Sequence, residues 1–107
     1  MKAAVFELDI ESDIEAVRFS RILATVVNGS PVFLEKVIVG GAIVYPMRPG
    51  SLFDPLTVRT CRFRVRNSQS LLTRTDIDDI GVRVRSQFAW STLRLVTDEP
   101  QNSLLAS

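Results

Sequence analysis

Between Thr60 and Arg66 every second side chain is apolar: Cys61, Phe63 and Val65 alternate with Thr60, Arg62, Arg64 and Arg66. A repeat of two belongs to an extended strand with one face on a core and the other in solvent; a helix would scatter these side chains around its circumference. Residues 56–66 therefore read as the clearest strand. The same repeat places a strand at 3–10, where Phe6, Leu8 and Ile10 alternate with Glu7, Asp9 and Glu11. Ile80, Val82 and Val84 alternate with Gly81, Arg83 and Arg85 as a further strand, and Phe88–Val96 reads as the last, with Leu93 and Leu95 opposite Thr92, Arg94 and Val96. Residues 31–39 and 42–45 are apolar runs split by Gly40-Gly41, a pair that marks a bulge or bend because glycine accepts the required backbone angles cheaply.

Two signals collide over residues 12–28. Ser12 followed by Glu15 has capping-box spacing, and a helix from there aligns Ala16, Phe19, Leu23 and Val26 on one face. Against it, Val17, Ile22, Thr25, Val26 and Val27 are β-branched, and Asn28-Gly29 is a hairpin signal as well as a helix stop. Both readings stand at this point. Five or more short strands punctuated by Gly, Pro, Asn and Asp predict a mainly β chain: a single-domain antiparallel β-sandwich or small barrel, with at most one short helix at 12–28. The 107 residues suffice for one domain, expected over 1–97, with 1–11 available as a docking strand or arm and 98–107 as a C-terminal tail.

The composition bears on chemistry. The chain has no histidine and one cysteine, which removes the commonest general base and metal ligand and leaves no disulfide or thiolate cluster to form. No catalytic residue, metal ligand or cofactor site is expected. Asp76, Asp78 and Asp79 are hard oxygen donors within four residues, but EF-hand spacing and its distant glutamate are missing, so they read as a solvated loop. Cys61, on the apolar side of its strand, reads as a buried, inert thiol. No apolar run is long enough for a membrane span, and the N-terminal residues lack the pattern of a secretory signal. A cytoplasmic or virion-associated protein is the expectation, with no membrane partner.

Charge is unevenly laid out. Residues 1–53 carry a net −1, residues 54–97 a net +4 and the last ten −2, and eleven of the thirteen basic residues are arginine. Arg62, Arg64, Arg66, Arg83 and Arg85 form a candidate basic stripe across two strands, facing a complementary acidic ladder of Glu7, Asp9 and Glu11. Met47, Leu52 and Phe53, in the proline-stiffened connection from Pro46 to Pro55, are further contact candidates. Aromatics interleaved with the arginines, which single-strand nucleic-acid readers use for stacking, are missing on that face. These features predict a non-enzymatic structural or assembly protein, partnered with itself as a homo-oligomer or with a larger structural protein. A small virion component, such as a phage capsid decoration, tail or connector subunit, fits that description. The alternative is a nucleic-acid-binding β-barrel that uses the arginine-lined face.

Overall fold

The alternating segments pair with one another. A computed structural model describes residues 1–9, 14–46, 60–88 and 92–99. Among them the elements run β1 (Ala3–Asp9), α1 (Ala16–Val27), β2 (Val32–Val39), β3 (Ala42–Tyr45), β4 (Thr60–Asn67), α2 (Arg74–Gln87) and β5 (Thr92–Glu99). The five strands form one antiparallel sheet in the order β3-β2-β4-β1-β5. Strand β4 lies between β1 and β2, and β1 lies between β4 and β5, so each helix connects two strands that flank a third. This is the split β-α-β, ferredoxin-like arrangement, with the β2–β3 hairpin adding an edge strand.

The chain is mainly β and antiparallel, as its periodicity predicts. What covers the sheet differs from a sandwich or barrel: the second layer is helical, and there are two helices rather than at most one. Ala4, Phe6 and Leu8 of β1, Leu34, Val37 and Val39 of β2, and Cys61, Phe63 and Val65 of β4 are buried on one face. Phe19, Leu23 and Val27 of α1 and Ile77, Ile80 and Val84 of α2 close over them in one core. Large side chains buried this way contribute roughly 1.5–3 kcal/mol each. Phe6 stacks on Phe63 with ring centroids 5.1 Å apart, and Phe19 of α1 meets Phe88, at the end of α2, at the same separation.

Residues 16–27 are helical because Ala16, Phe19, Leu23 and Val27 make one buried stripe, and that tertiary burial outweighs the β-branched content. Glu15 is itself the N-cap and makes no side-chain cap bond, so the Ser12–Glu15 box does not start the helix. Asn28 stops it: its N–H donates to the Ala24 carbonyl, and its side-chain oxygen accepts from the Leu34 N–H at 2.7 Å. Gly40 and Gly41, at φ of 57° and 81°, form the two-residue turn of the β2–β3 hairpin rather than a bulge within one strand.

The strand expected at 80–85 is the second half of α2. Thr73 caps this helix: its hydroxyl accepts from the Asp76 N–H at 3.1 Å, and the Asp76 carboxylate accepts from the Thr73 N–H at 2.9 Å. Asp76, Asp78 and Asp79 thus belong to a helix and not to a loop. Ile80 and Val84 fit both a repeat of two and a helical i, i+4 pair, and Val82 decides between them at 61% exposed. Phe88 caps α2, so the last strand begins at Thr92 instead. It runs to Glu99, which takes Asp98 and Glu99 out of the expected tail and into β5. Strand β1 is paired along both edges within its own chain, so for residues 3–9 the docking-strand role is filled internally. Met1 is also held inside the chain, its amino group donating to the Leu72 carbonyl at 2.9 Å.

Candidate functional site

With both helices on one face, the opposite face of the sheet is bare of secondary structure among the described residues, and the alternation in β1, β4 and β5 sends their charged side chains there. The register then sets who meets whom. Arg62 of β4 and Arg94 of β5 both lie directly opposite Glu7 of the strand between them. Arg62 Nε donates to Glu7 Oε2 at 2.8 Å and Arg94 Nη2 donates to Oε1, so each carboxylate oxygen receives a guanidinium from a different neighbour. One residue pair along, Arg94 Nη1 donates to Asp9 Oδ2 at 2.9 Å, and the Thr60 hydroxyl donates to Asp9 Oδ1 at the same distance. Three strands are thereby cross-tied by one charged row.

A second cluster lies on β2 and β4. The β2 register shifts between Leu34 and Lys36, and this bulge turns both Glu35 and Lys36 towards Arg64. Glu35 Oε2 approaches Arg64 Nε at 2.8 Å, a charge contact rather than an aligned hydrogen bond, and Glu35 Oε1 accepts from Arg66 Nη1 at 3.3 Å. Among the described residues Lys36 has no carboxylate partner. Val5, Ile38, Lys36, Arg62 and Arg64 line a shallow depression of about 200 Å³, and a second of about 250 Å³ adjoins it between Lys36, Arg64, Ile43 and Pro46.

The electrostatics follow from this pairing. Hydrogen bonds from Arg62 and then Arg94 hold the Glu7 carboxyl below its ordinary value, and Arg94 and then Thr60 do the same for Asp9. The same bonds, led by Asp9, raise Arg94. A carboxylate with both oxygens occupied by guanidinium and a lowered pKa is a weak base and is not protonated to act as an acid near neutral pH. Cys61, on the core side, is pushed up to about 12 by burial, with Asp9 and Glu7 adding to it, so its thiolate is not formed at neutral pH. The arrangement is suited to fixing strand register and to presenting a patterned surface.

Of the residues expected to interact, Glu7, Asp9, Arg62, Arg64 and Arg66 share this face. Arg83 and Arg85 do not: they lie on α2, so the stripe across two strands reduces to the three arginines of β4. Arg83 instead lines a surface depression with Asp76 and Asp79, and Asp78 pairs with Arg74 one helical turn away. No group of three acidic, cysteine or histidine side chains among the described residues is placed to hold a metal ion. Glu11, Met47, Leu52 and Phe53 lie outside the described residues. Arg94, Glu35, Lys36 and Thr60 were not singled out by the sequence, although the alternation already placed Arg94 opposite Leu93 and Leu95.

No protein-family model matches the sequence, and no curated protein matches it. The crystal structure of the TT0538 protein from Thermus thermophilus is similar, with a TM-score of 0.64 and 25% sequence identity over 88% of this chain. The match spans only 18% of that chain's length, so the likeness concerns the fold of one part of a larger protein. No helix among the described residues is long and apolar enough to cross a membrane.

Proposed function

We propose that this chain is a non-catalytic interaction domain that acts in assembly, and that the helix-free face of its sheet is where it docks on protein. The observation that carries this reading is the Arg62–Glu7–Arg94 row, whose charges are satisfied within the chain. A surface that captures phosphates needs cations without carboxylate partners and, for single strands, aromatic platforms. Here Glu7 and Asp9 occupy Arg62 and Arg94, while Val5 and Ile38 add apolar area beside them. Paired charges around small apolar patches are the pattern of a protein-docking rim and core. A place in a symmetric or capsid-like assembly, such as a virion component, is a narrower form of this reading to which the fold adds no support.

Nucleic-acid binding is the second reading, favoured by one observation: Lys36, which has no carboxylate partner among the described residues, lies on this face with the aromatic Phe33, whose register partner is Arg66. In-cell photo-cross-linking separates the two. A benzophenone amino acid in place of Ile38, on the bare face, is expected to give a protease-sensitive adduct of defined mass, and the same group in place of Val82, on α2, is not. A nuclease-sensitive adduct at position 38, or equal protein adducts at both positions, overturns the docking reading. Titration with labelled DNA and RNA provides the same decision in vitro. Submicromolar affinity falling with salt at a log–log slope of about −0.7 to −0.9 per phosphate favours the nucleic-acid reading.

A further inference from the structure

We infer that the chain carries an anion site at the end of the sheet where β4 turns towards α2, apart from the Arg62–Glu7–Arg94 row, and that its ligand is the phosphate of a small phosphomonoester. Lys2, Arg66, Asn67, Ser68, Gln69 and Ser70 line a depression of about 350 Å³ there. That is at the small end of the range of about 300–1,000 Å³ for ligand pockets. Two of these side chains are cations, and among the described residues no carboxylate lines the depression. The depression beside Arg83, by contrast, is lined by Asp76 and Asp79. The inference goes beyond the docking reading and does not depend on it.

Local hydrogen bonds build the site. Asn67 Oδ1 accepts from the Gln69 and Ser70 N–H groups at 2.8 and 2.9 Å, which closes the turn and leaves the Asn67 amide with its N–H donors to offer. Ser68 is fixed on the Pro31 carbonyl through its N–H at 2.9 Å and its hydroxyl at 3.2 Å, so the turn is anchored to the connection between α1 and β2. The Leu72 N–H donates to the Met1 carbonyl at 2.7 Å and Ala3 lies opposite Arg66, so Lys2 sits between two pinned neighbours beside the turn. Lys2 is half-buried and makes no ion pair among the described residues. Arg66, also half-buried, donates from Nη1 to Glu35 at 3.3 Å and keeps Nε and Nη2 for a ligand.

The donor set selects the ligand. A guanidinium offers a planar fork of N–H groups, an ammonium is a point charge, and the Asn67 and Gln69 amides add neutral donors. A carboxylate has a single charge and two oxygens, fewer than these groups can serve. A phosphomonoester has three terminal oxygens and a charge of about −1.5 to −2 at neutral pH, which calls for more than one cation. A phosphodiester has a single charge on two terminal oxygens, so a nucleic-acid backbone uses the site less well. Donors already held in place lose little freedom when the ligand arrives.

Titrating the intact chain with methyl phosphate at about 0.1 M salt, where charges beyond about 10 Å are screened, and following amide proton–nitrogen correlation spectra tests this. Saturable shifts confined to residues 66–70 and the Asn67 and Gln69 side-chain amides are expected, with a Kd below about 1 mM. Lys2→Gln, which breaks no ion pair among the described residues, is expected to weaken binding at least about tenfold with an unchanged circular dichroism spectrum. Arg18→Gln removes the same charge from an exposed position on α1, nine residues or about 14 Å before the helix end that leads to Val32, the register partner of Asn67, and is expected to change Kd less than about twofold. Dimethyl phosphate, the diester probe, and a single-stranded oligonucleotide without terminal phosphates are expected to bind more weakly. Absence of saturation, shifts spread over the surface, or equal losses for the two variants overturns the site; should Lys2→Gln alter the fold, the map in the parent chain decides. Tighter binding of the diester or the oligonucleotide overturns the monoester. The cross-link at position 38 does not involve these residues, so failure of this site and failure of the docking reading are read separately.

Discussion

Truncating Ile80 and Val82 separately tests whether α2 organises the helical side of the core. The two residues are two apart, so as a strand they would share a face and cost about the same to shorten. In the helix they point to different environments: Ile80 is fully buried and Val82 is 61% exposed. Ile80→Ala removes a branched side chain from beneath α2 and leaves a cavity, at a cost in the 2–5 kcal/mol range for such changes, about 3 kcal/mol here. Val82→Ala removes little buried surface and replaces a β-branched residue with the best helix former, a gain of up to about 0.6 kcal/mol. For 107 residues the unfolding entropy is about 0.22 kcal/mol/K, so 1 kcal/mol moves Tm by roughly 4–5 °C. Circular dichroism melts at 222 nm are then expected to show Ile80→Ala about 13 °C below the parent and Val82→Ala within about 3 °C of it. Comparable drops for the two variants would refute the helical placement and with it the bare sheet face.

Gly41→Ala places a Cβ at φ +81°, where nothing crowds it within 4 Å but an L-residue is strained, so a loss of about 1–2 kcal/mol is expected by urea denaturation; an unchanged midpoint contradicts the turn geometry. Glu7 and Asp9 have folded pKa values below their ordinary 4.5 and 3.8, so their contribution is present above those values and is lost as pH falls through the depressed ones. Between about pH 6 and pH 2 the parent is expected to lose more stability than the Glu7→Gln/Asp9→Asn variant, and parallel profiles would count against the charged row. Cys61, buried and pushed up to about 12, is expected to resist thiol reagents at pH 8 in the folded chain and to react within minutes in denaturant; rapid labelling without denaturant contradicts its burial.

The parts of the fold legible in the sequence are those where a repeat of two extends over several residues with large contrasts between faces. Strands β1 and β4 satisfy this, and both lie in the interior of the sheet, β4 at its centre. Segment 80–85 defeats the same test because Ile80 and Val84 belong to both repeats, and only the exposure of Val82 separates them. Two signals were present nonetheless: the Thr73–Asp76 cap and Ile77 three residues before Ile80, which extends a helical stripe and not an alternating one. In α1 the stripe and the β propensity pointed in opposite directions, and packing on the sheet decided.

The candidate face was legible residue by residue but not as a face, because its composition depends on strand order. Sequence alternation puts Glu7 and Arg62 on the solvent side of their own strands, and only the order β4-β1-β5 places Arg94 on Glu7's other flank. Glu35 and Lys36 were hidden for a different reason. In an unbroken strand, consecutive residues face opposite sides, so one of the pair would be buried with its charge, and the run from 31 to 39 reads as apolar with two exceptions. The bulge removes that conflict by turning both outward. Its consequence is electrostatic: with both residues on the bare face, Glu35 reaches Arg64 and Arg66, and Lys36 keeps its charge out of the core. The bulge is a single inserted residue in β2, so deleting Glu35 leaves Leu34 and Val37 on the core face with Lys36 between them facing out; the helix-covered core is expected to stay in register on both sides of the deletion, while Arg66 loses the carboxylate it donates to.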